Sequence, residues 1–86
     1  MSTEKLLKKK LEIYLNKAKS LFDSVEAVDE KGKRFREMAL CYYKDALYFY
    51  NKKNYIDALA ALEYAEGWLD AGIEAGFLVI KAKEED

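Results

Sequence analysis

The chain of 86 residues contains no proline and only four glycines, and this scarcity of helix-breaking residues restricts its fold more than any other feature. Proline interrupts an α-helix and glycine weakens it, so long uninterrupted helices are expected. Apolar residues recur at the helical period of about 100° per residue in three segments. These segments predict helices over about residues 4–27, 33–52 and 55–75. The expected fold class is therefore all-α, a three-helix up-and-down bundle that forms a single domain over residues 1–86.

Residues at the expected helix ends have the chemistry of caps and turns. Ser2 or Thr3 can cap the first helix, and Asn54 can cap the third. Residues 29–32 (Asp-Glu-Lys-Gly) have turn chemistry and separate the first two helices. Gly76 is expected in the left-handed conformation after the third helix, with Phe77 folding back as its hydrophobic contact. The apolar segment 77–80 should then dock on the bundle, whereas the acidic tail 84–86 should be disordered.

Composition argues against several classes of function. No apolar stretch approaches the ~20 residues that span a bilayer, and we expect neither a membrane partner nor a secretory signal. The chain has no histidine, so it lacks the commonest general base and the commonest transition-metal ligand. Its one cysteine, Cys41, has no partner for an internal disulfide and is expected to be an ordinary small side chain. We therefore predict no catalytic residues, no metal ligands and no cofactor, in a soluble cytoplasmic protein.

Charge is unevenly distributed along the chain. Residues 1–36 carry a net charge of +4 and residues 37–86 a net charge of −5, although the whole chain carries only −1. Two such segments attract each other when they pack side by side. A dedicated nucleic-acid domain usually has a net basic charge. Pairing within the molecule is therefore preferred, and no nucleic-acid partner is expected.

The third predicted helix carries small residues along one side. Glycine inside a helix costs about 0.8–1 kcal/mol of helix stability relative to alanine, so the presence of Gly67 and Gly72 in this helix calls for an explanation. The close approach of a neighbouring helix of the same molecule is the simpler reason, and a groove for a helix of a partner is the other. The small-residue side is formed by Ala58, Ala61, Ala65, Gly72 and Gly76.

Four acidic residues form a ridge on another flank of the same helix. They are Glu63, Glu66, Asp70 and Glu74, of which the last three follow one another at i,i+4 spacing. Such like-charge pairs destabilise a helix by about 0.2–0.5 kcal/mol each. Pairing with lysines of the first helix, or simple hydration, is preferred over a basic partner. A metal site is disfavoured because a straight ridge presents too few oxygens to one ion.

The aromatic residues fall into two groups. Most of the tyrosines lie on stripes that face the core, where the ring is buried and the hydroxyl stays at the edge. Tyr48, Tyr64 and Trp68 lie nearer the polar boundary and are the candidates for exposed contacts. Trp68 has two interpretations. It either closes the end of the core as a lid or serves as an aromatic anchor for a partner.

Several runs in the second and third predicted helices point to a known family. The run Tyr64-Ala65-x-Gly67-Trp68-Leu69-Asp70-Ala71-Gly72 is the most specific, and it is preceded by Tyr55-x-x-Ala58-Leu59-Ala60-Ala61 and by Arg36-Glu37-Met38-Ala39. Residues 36–78 resemble the archaeal domain-of-unknown-function family numbered 357. A weaker resemblance is to a tetratricopeptide-type hairpin, from which Leu62 departs because an aromatic residue is usual there. The family resemblance implies a short cytosolic archaeal protein with a three-helix up-and-down fold and no established activity.

The expected function is that of a non-catalytic protein–protein interaction module. Its candidate surface consists of Tyr64, Trp68, Glu63, Glu66, Asp70 and Glu74. The alternative is an accessory protein that binds a small ligand or a divalent metal through the acidic ridge. A protein partner of unknown identity is expected, and the chain itself is expected to be a monomer or a weak homodimer.

Overall fold

The computed structural model describes residues 2–81. It contains helices α1 (Thr3–Ser24), α2 (Glu30–Asn51) and α3 (Tyr55–Glu74), and two short strands, β1 (Val25–Ala27) and β2 (Leu78–Ile80). The three helices confirm the predicted all-α, three-helix fold. The predicted tail 84–86 lies outside the described residues.

Helices α2 and α3 form a tight antiparallel hairpin. The connection between them is only three residues long, and Lys53 in it adopts a left-handed conformation with φ of 65°. Alanines are buried along the contact on both helices, which lets the two backbones approach closely. The predicted small-residue side of α3 is thus used within the molecule: Ala58, Ala61 and Ala65 are buried. Asn54 occupies the N-cap position as predicted, but its side chain makes no capping hydrogen bond.

Helix α1 begins at the predicted Ser2 cap, whose side chain accepts a hydrogen bond from the Lys5 backbone N–H. It covers one face of the hairpin with its buried residues Leu11, Leu15, Ala18 and Phe22. Polar groups of α2 hold it in place. The Tyr50 hydroxyl donates a hydrogen bond to the Glu12 carboxylate, and the Arg36 guanidinium donates to the Phe22 carbonyl oxygen at 3.1 Å.

The first connection differs from the prediction. The first helix was expected to continue to Ala27 but ends at Ser24, and Val25–Ala27 form strand β1 instead. This strand pairs antiparallel with β2, with Val25 opposite Ile80 and Ala27 opposite Leu78. A strand of three residues is too short to show the alternating pattern of an amphipathic strand, and its partner lies at the other end of the chain.

The second helix begins earlier than predicted, at Glu30 rather than Lys33, and ends at Asn51, one residue before the predicted end. The Asp29 carboxylate accepts a hydrogen bond from the Gly32 backbone N–H at 3.0 Å. Asp29 is therefore the N-cap of α2, and the residues predicted as a turn form its first turn. An acidic residue is favoured at this end of the helix dipole.

After α3 the chain folds back onto the start of α2. Gly76 has a φ of +80°, and the Phe77 N–H donates to the Gly72 carbonyl oxygen at 2.9 Å, which is the expected glycine cap. Residues 77–80, hereafter the C-terminal clasp, then pass over Gly32, and the Phe77 carbonyl oxygen accepts a hydrogen bond from the Val28 N–H. Leu78 is buried against Gly72, so this glycine makes room for the clasp rather than for a neighbouring helix.

Gly32 should not tolerate a side chain. A Cβ atom at this position would lie 2.1 Å from the Phe77 carbonyl oxygen, a backbone atom that cannot rotate away. We predict that Gly32→Ala lowers the free energy of unfolding by about 1–3 kcal/mol, as overpacking does. Chemical denaturation measures the change. The matched control is Gly67→Ala, where a Cβ meets no atom within 4 Å and the better helix former should stabilise the protein by up to about 1 kcal/mol.

The bond between Tyr50 and Glu12 should contribute to stability in a pH-dependent way. This hydrogen bond is the main reason that the pKa of Tyr50 is raised to about 12. Because the protonated phenol is favoured in the folded state, the stabilisation is complete below about pH 10 and is lost as the pH rises towards 12. We predict that Tyr50→Phe lowers the free energy of unfolding at pH 7. The decrease should lie at the lower end of about 0.5–1.5 kcal/mol, because water reaches the hydrogen-bonded pair. A deficit that stays constant up to pH 11 would contradict this assignment.

Candidate interaction surface

The face of the α2–α3 hairpin that α1 leaves uncovered carries the candidate site. Residues of α3 that contact the core repeat at Ala58, Leu62, Ala65 and Leu69, all of which are buried. Helical geometry places residues 60, 64, 67 and 71 on the other side of α3, and these are exposed. Three of them are small, so side chains project little from the backbone along most of the outer side of α3.

A groove of about 550 Å³ runs along this side of α3. The Trp68 ring forms one wall, packed edge-on against Phe35 with the ring centroids 5.1 Å apart. Tyr64 is 63% exposed and stacks on Tyr42 at 5.2 Å. This aromatic groove, as we call it, is lined by Phe35, Ala60, Glu63, Tyr64, Gly67, Trp68 and Ala71.

Gly67 forms the floor of the aromatic groove. It lies in the middle of α3 and is exposed, and a Cβ atom built on it would meet nothing within 4 Å. Nothing in the fold therefore requires a glycine here, although glycine in a helix costs about 0.8–1 kcal/mol relative to alanine. What the glycine does provide is depth, because any side chain at this position would fill the groove.

Two hollows of opposite charge adjoin the aromatic groove. An acidic hollow of about 440 Å³ shares Glu63 and Gly67 with the groove and also contains Glu66 and Asp70. On the other side, a basic hollow of about 490 Å³ shares the Phe35 and Trp68 rings with the groove. This basic hollow also contains Lys31, Arg34, Met38 and Phe77. The apolar groove thus has an acidic edge along α3 and a basic edge at the start of α2.

The structure brings together some of the predicted surface residues. Glu63, Tyr64 and Trp68 line the groove, whereas Glu66 and Asp70 line the acidic hollow and Glu74 is exposed one turn beyond Asp70. Trp68 is half-buried: it contacts Phe35 and packs against the core cluster that contains Leu69, and it also lines the groove and the basic hollow. Whether it serves as a lid or as an anchor for a partner stays a prediction. Sequence reasoning missed Phe35, Ala60 and Ala71. The 7- and 4-residue spacing of Ala60, Gly67 and Ala71 is the signal that could have identified the open side of α3.

The expected pairing of the ridge with lysines of α1 is not found. Within residues 2–81, both ion pairs are local, joining Lys19 to Asp23 and Lys33 to Glu30. The half-buried Glu66 shows the consequence: burial, together with the charges of Asp70 and Glu63, raises its pKa. Lys17 lowers this pKa by less than those effects raise it. The ridge therefore repels itself and remains open to positive charge from outside.

Other site chemistries find little support in the described part of the chain. No three acidic or cysteine side chains within residues 2–81 are close enough to hold a metal ion. Cys41 is free and exposed. Across the same residues, no helix is both long enough and apolar enough to cross a lipid bilayer.

The raised pKa of Glu66 makes a prediction about stability. Folding favours the protonated acid, so its ionisation lowers stability as the pH rises above the ordinary value of 4.5. We predict that Glu66→Gln raises the free energy of unfolding at pH 7 by about 0.5 kcal/mol, the size of a like-charge helical pair. The gain should vanish near pH 3, where the acid is neutral in both states. Urea denaturation at the two pH values measures it, with the exposed Glu74→Gln as the control that changes less. A loss of stability at pH 7 would show that Glu66 is paired.

Comparison with known proteins assigns the chain to a family. Protein AF1782 from Archaeoglobus fulgidus has a similar crystal structure, with a TM-score of 0.81 and 26% sequence identity over 93% of this chain and 100% of that one. No curated protein matches the chain significantly. The model of a protein family of unknown function, DUF357, matches residues 6–78. The chain therefore belongs to the DUF357 family.

Proposed function

We propose that this protein is a non-catalytic interaction module that binds an amphipathic helical surface of a partner in the aromatic groove. The observation that carries the proposal is Gly67, an exposed glycine in mid-helix that the fold does not need and that keeps the groove open. A glycine that costs helix stability and has no structural role is typical of a functional surface.

The shape of the groove suits a helix. Ala60, Gly67 and Ala71 are low enough for a second helix to approach the α3 backbone closely. Trp68 and Tyr64 stand beside this low stripe and offer large rings to an apolar ridge of the partner. Aromatic residues in such positions often contribute 2 kcal/mol or more of binding energy.

The charges beside the groove specify the partner further. Asp70 and Glu66 lie along the α3 edge, where burial first, and then the negative charges of Asp70 and Glu63, raise the pKa of Glu66. A partner helix with lysine or arginine along one side would relieve this repulsion. Charge complementarity of this kind raises the association rate and selects among partners. The proposed occupant is therefore an apolar helical surface with a basic side.

A binding module accounts for the groove better than the alternatives do. The carboxylates of the ridge follow a helix and do not converge, so a divalent metal has no shared position among them. Within the groove itself only Glu63 and Tyr64 bring a titratable group, and no base–nucleophile pair is formed by its lining residues. A cytoplasmic location is part of the proposal, supported by the single exposed cysteine with no disulfide partner.

A selection from a displayed library of helical peptides tests the proposal. We expect the enriched peptides to carry apolar residues at i, i+3, i+4 and i+7 with lysine or arginine on one flank. Gly67→Gln fills the groove, and its Cβ atom meets no atom of the fold within 4 Å. We predict that it lowers the affinity for these peptides at least tenfold while stabilising the protein by up to about 1 kcal/mol. Fluorescence anisotropy and chemical denaturation measure the two effects.

The matched control is Ser20→Gln, which places the same side chain at an exposed position of α1. It should leave the affinity unchanged. Peptides that bind Gly67→Gln as tightly as the original protein would show that the groove is not the binding site.

A further inference from the structure

We propose that a second copy of this chain fits the aromatic groove, so that two molecules associate through the outer faces of their α2–α3 hairpins. The inference rests on the proposed function and names a partner for the same surface. It follows from the arrangement of charge on the two edges of the groove, because the chain itself displays the complement that the groove requires.

The positions of the charged residues along the common direction of the two helix axes, here called their heights, establish this complementarity. Helices α2 and α3 are antiparallel, and Phe35 contacts Trp68 across them. One residue earlier on α2, Arg34 therefore lies at the height of Leu69 and Asp70. The Phe35–Trp68 contact places Lys31 at the height of residue 72 and the Tyr42–Tyr64 stack places it at that of residue 75, so Glu74 lies between these two heights. The basic and acidic edges thus lie on opposite sides of the groove at the same height.

A twofold axis parallel to the helices uses this arrangement. Such an axis preserves height and exchanges the two edges, so Arg34 of each copy faces Asp70 of the other, and Lys31 faces Glu74. The pairs form twice in the dimer, because a twofold interface is self-complementary. Neither Lys31 nor Arg34 forms an ion pair within residues 2–81, so both charges can take part, although the Lys31 ammonium also lies over the Phe77 ring at 5.5 Å from its centroid.

The apolar parts also match under this axis. Tyr64 projects from α3 towards the helix N-terminus, as helical side chains do. The exposed ring of one copy therefore meets the other copy near Ala60, where the surface is low. Met38, 38% exposed beside the basic hollow, extends the apolar contact.

The other face-to-face arrangement is unfavourable. A twofold axis perpendicular to the helices would keep each edge on its own side, so the acidic edge of one copy would face the acidic edge of the other. Like charges opposed across an interface select against that pairing. The charge pattern thus determines the direction of association.

Charge exchange tests the proposal on the whole protein. Sedimentation equilibrium should show a dimer that weakens as salt is added. Arg34→Glu and Asp70→Arg should each raise the dissociation constant at least tenfold, because each places like charges together. Mixed in equal amounts, the two variants should form a heterodimer with an affinity within about threefold of the original, since every pair is then attractive. The matched control is Lys9→Glu, an exposed charge reversal on α1, which should have no effect.

Each other outcome overturns the inference. A chain that stays monomeric up to about 1 mM would exclude a second copy as the occupant. A dimer that is unaffected by both variants would form through another surface. A dimer that Asp70→Arg strengthens in mixtures with the original chain would have the perpendicular axis. The proposed function has its separate test in peptides that depend on Gly67, so the two can fail independently.

Discussion

The contact between the Phe77 carbonyl and the Gly32 backbone joins the segment that follows α3 to the beginning of α2. The oxygen lies where a Cβ atom of residue 32 would be, and it accepts a hydrogen bond from the Val28 N–H. This contact places the C-terminal clasp beside β1 and brings the Phe77 ring against Phe35, with centroids 5.3 Å apart. Phe35 in turn supports Trp68. The wall of the aromatic groove therefore depends on a backbone contact that only glycine allows.

The three helices and the caps at Ser2 and Gly76 could be predicted because their signals are local. Periodic apolar residues locate the three helices, and Gly76 with its left-handed φ ends the third as expected. The strand β1 could not be predicted, because its three residues gain their conformation from β2, more than fifty residues further along the chain. Asp29 was misassigned because an aspartate with a glycine three residues later suits a turn as well as a helix cap, and the hydrogen bond from the Gly32 N–H to the Asp29 carboxylate shows that it is a cap.

The candidate site was predictable in its polar and aromatic parts but not in its shape. Tyr64 and Trp68 lie at the apolar–polar boundary of α3, which the helical period alone indicates. Small residues occur on two sides of that helix, and the sequence does not say which side is covered. The structure buries the side with Ala61 and Ala65 against α2 and leaves the side with Gly67 open. Of the two expected states of the ridge, ion pairs with α1 are not found within residues 2–81 and hydration remains, because net charge per segment does not determine which individual side chains meet.

The structure leads to the expectation that two copies of the chain associate through the open side of α2 and α3. Backbone amide chemical shifts of the protein alone, recorded while it is diluted from about 1 mM to about 20 µM, test it directly. Shift changes should be confined to the outer face, around Arg34, Gly67 and Trp68, with none on the exposed side of α1. Shifts that are independent of concentration, or that change mainly on α1, would contradict it.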